Sequence, residues 1–318
     1  MPRHAHYVPH GVIPAVILPF CEDLDIDEDG FRKHLQDVAA VKGISAVTVN
    51  AHSTEVASCT FDEQRRVLAI AQDEIGGKLP IVNGIWADGS LEAARIARMA
   101  EQGGASALLV FPPAPFTLGQ SPAMAVEHFR RIADATGLPL IAFQYPLATG
   151  QGYPRETLLQ MCEQVPTLRA IKDWAGHVAQ HEMHIRELQS RKPAVNVLST
   201  HSAWLLSSLV LGCNGLLSGS GSVIADLQSA LFKAVRANDL AAARRLNDRI
   251  YPLARVFYCD PWADMHNRMK EALVLLGRLP RAVVRPPLVK IPRAEVERIR
   301  AALIEAGLLP QKTARDAA

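Results

Sequence analysis

The stretch LRAIKDWAGH, residues 168 to 177, is apolar and strand-like as far as Ile171 and then places a charged group, Lys172, at its end. A lysine there either carries its head to water along a buried stem or is held inside as a free amine. Alternation along a strand puts Ala170 on the face of Lys172 and Ile171 on the other, so Lys172 projects inward among branched side chains. Burial of this kind disfavours the ammonium form and lowers the pKa, giving an amine that attacks a carbonyl near neutral pH. The product is an iminium. It draws electrons from the neighbouring carbon and opens the way to C–C cleavage, aldol addition, or loss of water or ammonia beside a 2-oxo group.

Other patterns carry weaker chemistry. His177, His181 and His184 are four and three residues apart and share one helical face, a spacing that can hold zinc. HVAQHEMH is not HExxH, however, and the expectation is a solvated helix face and no metal. SGSGS, residues 218 to 222, precedes a helix as a phosphate cradle would, but no lysine or arginine follows within the first turn. The arginine pair in AARRLND reads as a wet helix face.

The elements that must position these groups alternate. Eight apolar runs, 11 to 20, 43 to 51, 79 to 85, 105 to 112, 138 to 146, 168 to 173, 194 to 200 and 213 to 219, lack clean polar alternation, as strands buried on both faces do. Amphipathic stretches separate them. Asp27 precedes the first, Thr60 and Glu63 form a capping-box pattern before the second, Ser90 opens the third, and Gly104 and Gly137 fall where helix ends belong. The alternation predicts an α/β fold, a (β/α)8 TIM barrel over 11–238, after an N-terminal tail (1–10) and before a C-terminal helical extension (239–318). A doubly wound open sheet is the rival. PRAVVRPPLVKIPR, inside the extension, is a proline-braced connector.

Composition limits the partners. The 318 residues are 49% hydrophobic, and 34 Lys plus Arg against 32 Asp plus Glu give no charge excess that would suggest nucleic acid. Five cysteines without CxxC spacing disfavour a disulfide framework and suit a reducing cytosol. No apolar run approaches a membrane span, and MPRHAHYVPH lacks a signal-peptide core, so a cytoplasmic protein acting on a small molecule is expected.

Five segments in order, GVIPAVILPF, NAHSTEVASCTFDEQRRVL, AFQYPLATG, AIKDWAG, and NRMKEALVLLG followed by RPPL, resemble the dihydrodipicolinate synthase and N-acetylneuraminate lyase family of Schiff-base-forming pyruvate aldolases. The resemblance runs from about Gly11 to Pro292 and implies that Lys172 forms the imine, with no cofactor beyond that covalent bond. It places Ser53 and Thr54 in the loop that holds the substrate carboxylate, and His52 where the family relays protons through a threonine. The family's proton-transferring tyrosine falls at Phe143, which has no proton to give; Tyr145, two residues on and on the same strand face, is the candidate replacement. Thr200 and His201 occupy the region that reads the distal part of the substrate, and Leu217 matches a position whose main-chain carbonyl faces the pyruvoyl group. The neighbouring subunit's tyrosine falls near Ala114 and the substrate-gripping arginine at Ala148, departures that argue against the lysine-biosynthetic reaction itself.

The expected function is a lyase acting through a Lys172 iminium on pyruvate or another 2-oxo acid. A dehydratase or deaminase of a sugar-acid-derived 2-oxo acid begins from the same imine. A catalytically idle 2-oxo-acid binder is a second class, and a metal-dependent aldolase using the histidines is a third. The resemblance also implies a homo-oligomer, a tetramer made of dimers.

Overall fold

The computed structural model describes residues 2–311. Its strands are β1 (Gly11–Pro14), β2 (Val47–Val49), β3 (Ile81–Ile85), β4 (Ala107–Val110), β5 (Leu140–Gln144), β6 (Leu168–Asp173), β7 (Asn196–Ser199) and β8 (Gly215–Ser218). They form one eight-stranded sheet, ordered β1-β8-β7-β6-β5-β4-β3-β2. Parallel bridges Val12↔Ile44 and Ala15↔Thr48 bring β1 back to β2, so the sheet closes into the expected barrel.

The helices α1 (Glu28–Ala39), α2 (Phe61–Glu74), α3 (Ser90–Gln102), α4 (Pro122–Ala133), α5 (Arg155–Gln164), α6 (Val178–Gln189), α7 (Leu205–Val210) and α8 (Gly221–Arg236) follow the strands in turn. Strand residues such as Val12, Leu108, Leu140, Ile171 and Leu216 point outward onto this ring. Their neighbours Ile13, Leu109, Ile141, Ala170 and Leu217 fill the barrel. Both faces are therefore apolar, which is why the strand runs show no polar alternation.

Asp27 accepts from the Gly30 amide at 2.9 Å, and the Thr60–Glu63 capping box forms. Gly104 has φ +89 just past α3, a backbone state that favours glycine, whereas Gly137 caps nothing: α4 ends at Ala133 and the Gly137 amide donates to Glu101. The first apolar run is mostly not strand. After Pro14 the chain leaves the ladder, with the Ala15 amide on Ser218 and the Val16 amide on Thr48, both at 3.0 Å, stitching the barrel seam.

Residues 2–10 lie against the end where the strands begin, with Arg3 donating to the Gln72 carbonyl and Tyr7 packed on the inner cluster. At the other end of the sequence lie α9 (Leu240–Phe257), α10 (Met265–Leu275) and α11 (Arg293–Glu305); residues 312–318 lie outside the described residues. Arg244 and Arg245 on α9 are exposed, and all five cysteines are unpaired. Among the described residues no helix is long and apolar enough to cross a membrane.

Candidate active site

Lys172 stands at the C-terminal end of β6, paired in register with Phe143 of β5 and Leu198 of β7. Only 5% of it is exposed, and its Nζ lies 4.0 Å from the centroid of the Phe143 ring. Burial lowers its pKa from 10.5 to about 7, so a large fraction of the amine is neutral at physiological pH. In front of it opens a cavity of about 470 Å³ at the barrel mouth. This is the end of a barrel where reacting groups collect.

The loop after β2 forms one wall. Asn50, at φ 53, turns the chain, and its Nδ2 donates to Asn83 Oδ1 on β3 (2.7 Å) and to the Gln64 carbonyl (2.9 Å). Gly84 lets the two strands approach this closely, since a Cβ there would sit 1.8 Å from the Asn50 carbonyl oxygen. A 3₁₀ turn follows, His52–Thr54. The first amides of such a turn, those of His52 and Ser53, have no partner within it. Ser53 Oγ is buried without a hydrogen-bond partner, and Ser53 lines the cavity. Thr54 does not reach it: its hydroxyl donates to the Ala51 carbonyl at 2.8 Å and closes the turn.

His52 sits in a nest of rings, 4.8 Å from Phe111, 5.3 Å from Trp86 and 5.7 Å from Phe143 between centroids. Burial, helped by the Lys172 charge, brings its pKa down to about 3, so the imidazole is neutral. Its Nε2 is 3.0 Å from the Tyr145 hydroxyl. Burial also pushes the Tyr145 phenol above its ordinary range, so the hydroxyl and imidazole face each other uncharged and share one proton. Tyr145 itself does not line the cavity; it meets the site through His52.

Phe143, Thr200 and His201 line the cavity, whereas the Leu217 side chain is wholly buried in the barrel interior opposite Ile13. Behind His201 the structure corrects the histidine reading. Only His177 is exposed; it caps α6, accepting from the Gln180 amide. His181 and His184 are buried and hydrogen-bond Asp173 Oδ2 through Nδ1 at 2.8 and 2.7 Å. Asp173 follows Lys172 on the strand and therefore points outward, beneath α6, and a carboxylate buried there needs donors. Burial would raise its pKa, but the imidazoles hold it well below the carboxylate range. Against the lowering effect of burial, Asp173 carries His181 up to about 9, making a buried ion pair. His201 Nε2 lies 3.5 Å from the other oxygen of Asp173, and its ring stacks on Trp204 at 3.8 Å. Ligand atoms of Asp173, His181 and His201 lie within 4.8 Å of one another, the arrangement nearest to a metal site among the described residues; Asp173 and His181 bond each other and His181 Nε2 meets Ser208 Oγ, while His201 Nε2 has no hydrogen-bond partner.

SGSGS is a committed turn. Ser218 and Ser220 bond each other and Gln228, while Ser222 bridges the Ile17 amide and the Ala15 carbonyl, so no hydroxyl is left for phosphate. Gly219 alone of this run faces the cavity.

The remaining walls come from residues the sequence reading passed over: Arg255 and Tyr258 at the end of α9, Trp262 in the break that follows, and Met265 and His266 in the first turn of α10. The signal available was DPWADMH, a tryptophan and a histidine beside a proline between two amphipathic helices. The extension is held in place by Lys270 of α10, which pairs with Glu55 of the β2 loop in full burial and donates to the Val283 carbonyl at 2.7 Å.

Comparisons with known proteins bear on this geometry. The model of the dihydrodipicolinate synthetase family matches residues 8–306. The 4-hydroxy-tetrahydrodipicolinate synthase of Methanoculleus marisnigri is 27% identical over 93% of this chain and 99% of its own. That of Methanopyrus kandleri is 28% identical over 95% and 97%. Among solved structures, an Escherichia coli prophage protein of the dihydrodipicolinic acid synthase family, crystallised with pyruvate, superposes with a TM-score of 0.87 at 24% identity, covering 94% of this chain and 99% of that one. The Thermotoga maritima dihydrodipicolinate synthase gives 0.86 at 22% identity, covering 95% and 100%. With a closed barrel, an amine kept neutral at its mouth and a family match along almost the whole chain, this protein belongs to the dihydrodipicolinate synthetase family and is a lyase.

Proposed function

We propose that the enzyme forms an iminium between Lys172 and C2 of pyruvate or a longer 2-oxo acid and then makes or breaks the bond at C3, an aldol addition and its reversal. The observation that carries this reading is the Lys172 amine, brought to a pKa of about 7 by burial and facing a cavity of about 470 Å³. Ser53 Oγ and the free amides of its turn receive the carboxylate, with Thr54 bracing the turn and the Leu217 main chain flanking the pyruvoyl group. Tyr145 and His52, joined at 3.0 Å, form the proton relay that Phe143 is unable to supply. Thr200 and His201 lie on the wall that meets the distal part of the substrate. No step calls on a metal or an organic cofactor.

Phe143, together with Ala114 and Ala148, both exposed and neither lining the cavity, supports a reaction other than lysine-biosynthetic condensation. Dehydration of a sugar acid would begin from the same imine. Borohydride reduction in the presence of pyruvate, read by mass spectrometry, tests the reading. A reduced adduct on Lys172, lost in Lys172→Ala, is expected together with turnover of a pyruvate-releasing substrate. An adduct without turnover would make the protein a binder, and no adduct would remove the reading altogether.

A further inference from the structure

The reading above leaves the acceptor open, and the cavity wall bears on it. Starting at the amine, the Phe143 ring lies 4.0 Å from Nζ. Trp174 is next, 6.4 Å from Phe143 between centroids, and Trp262 stacks on Trp174 at 5.0 Å with only 30° between planes. Trp262 is 40% exposed. The rings thus run without interruption from the imine nitrogen to the rim. After β7 the stacked pair His201 and Trp204 adds a second aromatic wall.

The polar groups on the wall are hydroxyls (Ser53, Thr200, Ser202, Tyr258), imidazoles and the Arg255 guanidinium. Among the described residues no Asp, Glu, Asn or Gln lines the cavity, so an amino-aldehyde finds no carboxylate for its ammonium. The volume, about 470 Å³, exceeds what a three-carbon oxo acid needs and suits a ring-bearing ligand. An exposed tryptophan continuing an inner aromatic row is a recognition surface, since its burial contributes little to the fold.

We infer that the acceptor is an aromatic aldehyde, and that the bond made or broken joins C3 of pyruvate to a benzylic carbon. The proposal rests on the Lys172 imine. In the cleavage direction a 4-aryl-4-hydroxy-2-oxobutanoate condenses with Lys172 and releases water. The C3–C4 bond breaks, its electron pair moving to C3 to give the enamine. The 4-hydroxyl gives up its proton as C4 becomes the aldehyde carbon. A proton returns to C3, and water hydrolyses the iminium to pyruvate and the free lysine. Nothing is oxidised or reduced, and the water released is the water consumed.

Condensation of pyruvate with benzaldehyde, glyceraldehyde and aspartate 4-semialdehyde tests this, following loss of pyruvate. The expected result is a kcat/KM for benzaldehyde at least roughly a hundredfold above the other two, the difference that two or more stacking contacts give. Trp262→Ala, an exposed position whose loss leaves the fold intact, is expected to lower the benzaldehyde value roughly five- to tenfold and the glyceraldehyde value less than about twofold. Equal rates, a preference for either polar aldehyde, or a Trp262→Ala effect shared by all three would overturn the inference. The borohydride trap separates the two levels. A Lys172 adduct with no aromatic preference overturns the acceptor assignment alone, and no adduct overturns both.

Discussion

An ammonium at position 172 would exchange water for the face of Phe143, 4.0 Å away, and no opposite charge contributes to its pKa. The folded pKa, about 7 against 10.5, means the unfolded chain binds the extra proton between those values. Stability attributable to this residue is therefore reduced in full below about pH 7 and recovers as pH climbs towards 10.5. Lys172→Met keeps the packing and drops the charge; urea denaturation at pH 7 is expected to show a gain of up to about 4 kcal/mol, with imine chemistry abolished. The same pKa predicts that the rate of borohydride trapping rises with pH and levels off above about 7. Tyr145→Phe removes the hydroxyl that meets His52 and is expected to slow turnover about a hundredfold in steady-state assays. Lys172, His52 and Tyr145 stood out in the sequence because a strand-end lysine and two departures from a motif are local features. The gathering of His181, His184 and His201 on Asp173 did not, because spacing fixes which residues share a helix face and leaves open what that face meets.

The β2 loop shows how elements hold the site at a distance. Glu55, at φ 51, accepts from Lys270 of α10 and from the Arg285 amide, so the turn carrying His52 and Ser53 is tied to the extension and to the proline-braced connector. Lys270 is wholly buried, and removing its partner strands a charge. Glu55→Ala is expected to lower stability by about 3–5 kcal/mol in urea denaturation, whereas Glu55→Gln, which keeps an acceptor, should lose less. Strand order and number were legible, since each apolar run had to be buried on both sides. Strand length was not. The run 11 to 20 is uniformly apolar, yet only Gly11–Pro14 is strand, because proline has no amide for the ladder and the following residues close the seam instead.

For the whole molecule, the helical extension roofs the barrel, and its amphipathic pattern announced a docked face without saying that Arg255, Tyr258, Trp262, Met265 and His266 would complete the cavity. A candidate surface for the expected tetramer of dimers lies on the turns after β4 and β5. Leu118 is 93% exposed and Leu147 46%, on turns that the fold brings together: a Cβ on Gly150 would lie 2.7 Å from the Thr117 carbonyl oxygen. Ala114, near which the resemblance places the tyrosine that one subunit contributes to its neighbour, starts the first of these turns. Two such turns present a pair of exposed leucines, and a two-fold axis beside them would bury that pair against its own copy. We propose this surface as the dimer contact. Leu118→Asp combined with Leu147→Asp changes only exposed side chains, so the fold should persist while like charges meet across the axis. Sedimentation velocity is expected to show a tetramer for the native chain and a smaller species for the double variant. A native monomer, or a variant that still assembles, would place the contact elsewhere.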